Sequence, residues 1–75
     1  MTIESNFGKI ISKYRSEKKM SQETLATLSG LDRTYISLLE RGKRNPTLKT
    51  IFKLAKALEV LPSECVKELE GKEYE

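Results

Sequence analysis

The sequence predicts an all-α fold of five helices. Apolar residues recur every three or four positions along most of the 75 residues, and no segment shows the strict alternation of a strand. Ser, Thr or Asp precedes most of these segments, and Gly follows two of them, as is typical of helix ends. Because hydrophobic residues make up 37 % and charged residues 33 %, we expect residues 1–75 to fold as one domain with a small core.

The first predicted helix is marked by four apolar side chains on one face. Their spacing is i, i+3, i+4 and i+7, and the residues are Phe7, Ile10, Ile11 and Tyr14. Ser5 is the expected N-cap, and the lysines at positions 18 and 19 suit the negative end of the helix dipole.

The next two predicted helices are short and joined by a tight turn. The second is expected to run from Gln22 to about Ser29, between a cap at Ser21 and a C-terminal Gly30. The third is expected over residues 33–41, behind a cap at Asp32. Two helices separated by so short a link containing a glycine predict a helix-turn-helix.

The fourth predicted helix has a broad apolar face and a cap at Thr47. Its apolar residues are Leu48, Ile51, Phe52, Leu54, Ala55 and Leu58. The segment Leu61-Pro62-Ser63 then breaks the chain. A fifth, short helix is expected to follow and to fray into an acidic tail, within residues 62–75.

The charged residues divide the chain into a basic body and an acidic tail. Residues 1–63 carry twelve Lys or Arg against six Asp or Glu, whereas residues 64–75 carry two against five. A basic body predicts an anionic partner, and nucleic acid is the usual one. Many solvated helical surfaces are equally basic, so the prediction depends on which residues lie together.

The composition argues against an enzyme, a metal site and a membrane protein. The chain has no His, the commonest general base, and its one Cys forms neither an internal disulfide nor a zinc site. We therefore expect no cofactor and interpret Cys65 as a small core residue. No apolar run reaches the roughly 18 residues of a membrane span, and the charged N-terminal residues argue against a signal peptide, which predicts a cytoplasmic location.

A helical wheel divides the third helix into an inward and an outward side. Ile36 and Leu39 mark the inward side at about 100° per residue. The outer face and its edges carry Arg33, Thr34, Tyr35, Ser37, Leu38 and Arg41. The alternative is an ordinary solvated helix with one stray leucine, and the wheel alone does not exclude it.

The outer face has the side chains that a reader of the DNA major groove needs. Arg33 can donate bidentately to guanine O6 and N7. Thr34 and Ser37 are short enough to let the helix approach the base edges. Tyr35 can present its hydroxyl to a phosphate, and Leu38 could touch a thymine methyl group.

Residues flanking the third helix are expected to contact the DNA backbone. Gln22 opens the second helix, where the crossing helix of a helix-turn-helix meets phosphates. Lys43, Arg44 and Asn45 lie on the loop after the third helix.

An ion pair between the first and third helices is also predicted. The wheel turns Glu40 toward the core, where a carboxylate needs a cation, and Arg15 lies beside the apolar stripe of the first helix. The alternative is that both side chains are separately solvated.

Residues 20–60, MSQETLATLSGLDRTYISLLERGKRNPTLKTIFKLAKALEV, resemble the phage-repressor type of helix-turn-helix domain, the XRE or Cro/repressor family. The resemblance rests on Ser21-Gln22, Leu25-Ala26, Gly30, Ile36, Leu39-Glu40-Arg41-Gly42, Asn45-Pro46 and Leu54-Ala55 with Leu58. It implies a five-helix, lambda-repressor-like DNA-binding fold, with the helix-turn-helix at about residues 22–41 and its third helix in the major groove of double-stranded DNA. The implied location is the nucleoid of a bacterial or phage-infected cell.

The resemblance also assigns roles to individual residues. The family's arginine–glutamate pair falls on Arg15 and Glu40, and its phosphate-contacting glutamine falls on Gln22. Its base-reading positions fall on Arg33, Thr34, Ser37 and Leu38. The sequence departs from the pattern at Leu61, where a polar cap before the proline would be usual.

The segments LDRTYIS and ERGKRNP resemble, more narrowly, the controller proteins of restriction–modification systems. These are small dimeric transcriptional regulators that activate or repress from palindromic operators, so RNA polymerase is a further expected partner. DRTYIS also occurs in general XRE regulators. An antitoxin or a protein-binding adaptor of the same fold is the alternative function.

A reader this small makes few base contacts, so specific binding is expected to need a homodimer on two half-sites about 34 Å apart. The expected dimer interface is apolar and lies away from the third helix. Its candidate residues are Leu58, Leu61, Val66 and Leu69. The alternative is that these residues only close the core.

Overall fold

The computed structural model describes residues 2–74, without the side chain of Tyr74, and these residues form five α-helices and no strand. The helices are α1 (Ile3–Glu17), α2 (Gln22–Ser29), α3 (Arg33–Glu40), α4 (Leu48–Ala57) and α5 (Pro62–Tyr74). The all-α prediction and the order of the elements are confirmed.

The N-termini of the first four helices are capped by hydroxyl or carboxylate side chains that accept a backbone N–H. Ser21, Asp32 and Thr47 cap α2, α3 and α4, as predicted. The prediction of Ser5 as the cap of α1 is wrong. Thr2 is the cap, because its Oγ1 accepts from the Ser5 backbone N–H at 3.0 Å and Ser5 lies inside the first turn.

The turn between α2 and α3 consists of three residues. Gly30 adopts the left-handed conformation (φ 73°), and its N–H donates to the Ala26 carbonyl at 2.9 Å. The chain then re-enters a helix at Arg33, which forms the predicted helix-turn-helix. α3 ends at Glu40, one residue earlier than predicted, with Arg41 as its C-cap.

The fifth helix is longer than the sequence predicted. It spans 13 residues, from Pro62 to Tyr74, so the expectation of a short helix that frays into the tail is wrong. At its start the Leu61 backbone N–H donates to Glu64 Oε1 at 2.9 Å. This bond is half of a capping box, and it compensates for the missing polar cap at Leu61.

The core lies where all five helices meet. α1 packs on α3 and α5, α2 packs on α3 and α4, and α4 packs on α5. The buried cluster comprises Phe7, Ile11, Leu25, Ala26, Ile36, Leu39, Leu54, Ala55, Leu58 and Cys65. Within residues 2–74, no helix has the length and apolar character that crossing a membrane requires.

Candidate nucleic-acid interface

α3 is anchored on its inward side and exposed on its outward side. Ile36 and Leu39 are buried in the core, as the wheel predicted. Asp32 fixes the start of the helix, since its Oδ2 accepts from the Thr34 backbone N–H at 3.0 Å. Burial on one side and a capped start give α3 a defined orientation, so its outer face is presented as a rigid surface.

The end of α3 touches α1 without any intervening side chain at Gly8. A Cβ atom at Gly8 would lie 2.3 Å from the Leu39 carbonyl oxygen and 2.6 Å from that of Glu40. Glycine therefore lets α1 approach the end of α3 this closely, and the contact helps to fix the position of α3 on the core. Gly8 was not among the residues predicted to matter, and its only local signal in the sequence was a glycine inside a helical pattern.

Glu40 and Arg15 form the expected ion pair. Arg15 Nε donates to Glu40 Oε2 at 2.7 Å and Arg15 Nη2 donates to Glu40 Oε1 at 3.0 Å. The Arg15 side chain is 17 % exposed and that of Glu40 only 7 %. The Glu40 carboxylate raises the pKa of Arg15, and burial of the guanidinium opposes that rise. The pair joins α1 to the end of α3.

Gln22 lies beside this ion pair rather than alone at the surface. Its Nε2 donates to Glu40 Oε1 at 3.0 Å, and the residue is half-buried. The side chain predicted to contact a phosphate is thus held at the end of α3, next to the basic loop that follows it.

The outer face itself is divided between exposed and half-buried side chains. Arg33 and Thr34 are exposed, whereas Ser37 and Leu38 are half-buried. The Tyr35 hydroxyl lies 3.4 Å from Thr50 Oγ1 of α4, and its ring packs against the core. The structure therefore brings the predicted base-reading residues onto one surface, with Tyr35 at its α4 edge.

The loop after α3 extends this surface toward the N-terminus of α1. Arg41, Lys43, Arg44 and Asn45 are all exposed. Arg41 Nε donates to the Ser37 carbonyl at 3.4 Å, which lays the guanidinium along α3. Gly42 (φ 73°) turns the chain here, close against Ser5 of α1.

Positive charge predominates on this surface, where Asp32 at the start of α3 and Glu4 beside Lys43 and Arg44 are the flanking acids. Four basic residues, Arg33, Arg41, Lys43 and Arg44, lie between positions 33 and 44. The one acid in that segment is Glu40, whose charge is buried and paired with Arg15. Small side chains on an exposed helix, flanked by unpaired positive charge, can bind a polyanion and enter a groove in it.

The predicted dimer residues fall into two groups. The prediction that Leu58 belongs to an interface is wrong, because the residue is 0 % exposed and part of the core. Leu61 and Val66 are exposed and Leu69 is half-buried. Leu48 and Phe52, which the sequence placed on the apolar face of α4 but not among the dimer candidates, are 75 % and 61 % exposed. The two residues are spaced i, i+4 and lie outside the buried stripe of α4, and this spacing was the signal in the sequence that they share one exposed face.

Metal chemistry has no obvious location in the described part of the chain. Residues 2–74 contain no group of three or more His, Cys, Asp or Glu side chains that could hold a metal ion. Cys65 is a free, buried thiol, and burial raises its pKa.

Comparisons with known proteins find relatives that cover most of the chain. A family model described as "Helix-turn-helix" matches residues 11–65. Control protein C.MunI of Mycoplasma sp is 41 % identical over 69 residues, which are 91 % of this chain and 93 % of the relative.

Solved structures of similar proteins have the same fold. The crystal structure of the restriction-modification controller protein C.AhdI from Aeromonas hydrophila has a TM-score of 0.81 and 50 % identity, over 83 % of this chain and 94 % of the other. The controller protein C.Esp1396I, solved as a tetramer with its natural 35 base-pair operator, has a TM-score of 0.80 and 42 % identity, over 93 % and 97 % of the two chains.

Proposed function

The chain belongs to the helix-turn-helix family of the XRE or Cro/repressor type, and on that basis we propose that it is a sequence-specific, DNA-binding transcriptional regulator. We propose further that it acts as the controller protein of a restriction–modification system, as similar proteins are named. It binds a palindromic operator as a homodimer. When it activates transcription, RNA polymerase is its second partner.

One observation carries the proposal. The outward face of α3 combines exposed Arg33 and Thr34 with a rigid, buried inward side, and the exposed cations of the following loop flank it. A short helix of this kind fits the major groove, with base contacts from the helix and phosphate contacts from the loop. The relative solved on its operator supports the same use of the fold.

The dimer face that we propose lies on α4 and the start of α5. Leu48 and Phe52 project from one face of α4, and Phe52 lines a surface groove with Val60 and Pro62 and with Lys49, Lys53 and Lys56. Leu61 and Val66 are exposed close by along the chain. Large apolar side chains that are left exposed together are typical of a surface covered by a partner.

Selection from a random duplex pool tests the proposed function. The full chain should enrich a palindromic sequence whose half-sites are about one helical turn apart. Fluorescence anisotropy should then give tighter binding to the enriched duplex than to a scrambled duplex of the same composition. Recovery of no preferred sequence, with no binding to either duplex, would contradict the proposal and favour a protein-binding role for the fold.

A further inference from the structure

The carboxylate of Glu40 is shared between two donors with different roles. Its Oε2 accepts from Arg15 Nε, and its Oε1 accepts from both Arg15 Nη2 and Gln22 Nε2, each at 3.0 Å. The remaining Arg15 nitrogen, Nη1, donates to the Met20 carbonyl at 2.8 Å. Met20 immediately precedes the cap of α2, so one network fixes both the start of α2 and the Gln22 side chain.

The bond from Gln22 is not needed to neutralise Glu40. Two donors of Arg15 already occupy the carboxylate and supply its counter-charge. The Gln22 amide nitrogen carries two N–H groups, and within residues 2–74 it makes one hydrogen bond, to Glu40. Its second N–H has no acceptor among the described residues. Gln22 is also the first residue of α2, where the helix dipole favours an anion.

We propose that Glu40, held by Arg15, is a positioning residue for DNA binding. It orients the Gln22 amide so that the second N–H donates to a backbone phosphate. This inference rests on the proposed function, because it specifies how one phosphate contact of that function is prepared. A glutamine held in this way loses less side-chain freedom on binding than one that is free to rotate.

Charge alone predicts the opposite effect of removing this carboxylate. Glu40→Gln removes a negative charge beside the DNA-binding face, and on electrostatic grounds this change should tighten binding. In the variant, the one side-chain oxygen at position 40 accepts from Arg15, and the new NH2 group faces Gln22 Nε2. Gln22 then loses its acceptor because two donors face each other. The positioning role therefore predicts weaker binding, so the sign of the effect separates the two explanations.

The test uses anisotropy with two duplexes, the enriched operator and a scrambled duplex of equal length. Glu40→Gln and Gln22→Ala should each weaken binding to both duplexes by about twofold to tenfold. The double variant should bind no more weakly than Gln22→Ala. Because Gln22 is uncharged, Gln22→Ala should leave the slope of log K against log salt unchanged.

Glu23→Gln is the matched control. Glu23 is the exposed neighbour of Gln22 and loses the same charge, without a side-chain hydrogen bond in the network. It should bind as tightly as the parent or more tightly. If Glu40→Gln behaves like Glu23→Gln, or costs as much in the Gln22→Ala background as in the parent, Glu40 has only a structural role.

An amide NMR measurement on the parent keeps the inference testable if Glu40→Gln does not fold. In 15N-labelled protein, one Gln22 side-chain proton should be protected before DNA is added, and the other should shift when the duplex is added. Absence of both effects would overturn the positioning role. If the parent protein binds neither duplex, the proposed function itself is overturned. If the parent binds and Glu40→Gln binds no more weakly, only this inference is overturned.

Discussion

Arg33 is the residue from which we expect the largest effect on sequence preference. It is exposed in the first turn of α3, where a guanidinium can donate to two acceptors of one guanine. Arg33→Ala should weaken operator binding by about 1–3 kcal/mol and relax the choice at one base position. Repeating the duplex selection with the variant measures both effects. Lys67→Ala, which removes a positive charge from α5, is the control, and equal losses in the two variants would refute base reading by Arg33.

Lys43 is expected to act on all DNA sequences alike. It is exposed on the loop after α3, where a lysine meets phosphates rather than base edges. Lys43→Ala should weaken the operator and the scrambled duplex by the same factor and reduce the salt slope by about 0.9. Anisotropy titrations from about 50 to 200 mM salt measure the slope. Over this range, each two phosphate contacts change the binding constant by about tenfold. An unchanged slope would exclude a phosphate contact by Lys43.

At the residue scale, the helical wheel predicted the directions of the α3 side chains and the pairing of Glu40 with Arg15, but not the neighbours of the other residues. It correctly placed Ile36 and Leu39 inward, because their direction follows from the helical repeat alone. It left Leu38 as an exposed oddity, whereas the packed structure half-buries this residue. It also gave no indication that the Tyr35 hydroxyl would meet Thr50, since that contact depends on where α4 lies.

The contact between α1 and α3 at Gly8 gives a prediction at the scale of elements. A methyl group at this position would overlap two backbone carbonyls of α3, and backbone atoms cannot rotate away. Gly8→Ala should therefore lower the free energy of unfolding by about 1–3 kcal/mol, despite the better helix propensity of alanine. Urea denaturation followed by circular dichroism measures the change.

Gly71→Ala is the matched control for this substitution. Gly71 lies inside α5, and nothing stands within 4 Å of a Cβ built there. Alanine at position 71 should be neutral or stabilising by up to about 1 kcal/mol, because only helix propensity changes. Equal stabilisation of both variants would contradict a close contact between Gly8 of α1 and the carbonyls at the end of α3.

The attachment of α5 to α1 should depend on pH through Glu68. The Lys13 ammonium and the Tyr14 hydroxyl both donate to this carboxylate, and with Lys72 nearby they hold the pKa of Glu68 below its ordinary value of 4.5. A carboxyl whose pKa is lower in the folded state stabilises the fold above its unfolded pKa. That contribution is lost as the pH falls through the folded pKa.

Thermal unfolding between pH 7 and pH 3 measures this dependence. Glu68→Gln should melt below the parent at pH 7, and the difference should shrink in the acid range below about 4.5. Glu70→Gln removes an exposed carboxylate on the same helix that makes no hydrogen bond or ion pair among the described residues, so it should keep the parent's pH dependence. A constant gap between the parent and Glu68→Gln would show that the contact does not depend on the charge.

The elements that sequence reasoning predicted well are those with local signals. The caps at Ser21, Asp32 and Thr47 act within three residues of themselves, so a short window of sequence contains the whole interaction. The length of α5 was not predictable in this way. Few apolar residues follow Leu69 in α5. The acidic residues of α5 find their partners on α1, more than 50 positions away in the chain, as in the hydrogen bond from Asn6 to Glu73.

At the scale of the whole molecule, the fold leaves two exposed surfaces of different character. The outer side of α3 is basic and polar, whereas α4 and the start of α5 leave Leu48, Phe52 and Leu61 exposed. These two surfaces share no residue, so α3 can contact DNA while α4 is covered by a second copy. A twofold axis through the α4 surface would present two α3 helices to successive turns of a palindrome.

Phe52→Glu tests this arrangement with a single substitution. The side chain is 61 % exposed in the protomer, so the fold should tolerate the change. In a twofold interface the substitution occurs twice, so the dimer loses two buried aromatic rings and gains two carboxylates beside Val60, Pro62 and three lysines. The lost ring packing should weaken the dimer by about tenfold or more. Sedimentation equilibrium at tens of micromolar, a range suited to dissociation constants of about 10 μM, should then find monomers where the parent is dimeric.

Leu28→Glu separates the loss of the interface from the added charge. Leu28 is 57 % exposed on α2 and gains the same carboxylate, in a neighbouring groove that shares Lys53 and Lys56 with the Phe52 groove but does not contain Phe52. It should remain dimeric and keep operator binding, while Phe52→Glu retains only the weaker binding expected of one half-site. A parent that is monomeric at these concentrations would contradict the dimeric reader outright. A dimeric Phe52→Glu would contradict an interface at Phe52 and favour one at the groove between α1 and α5 that Ile3 and Leu69 line.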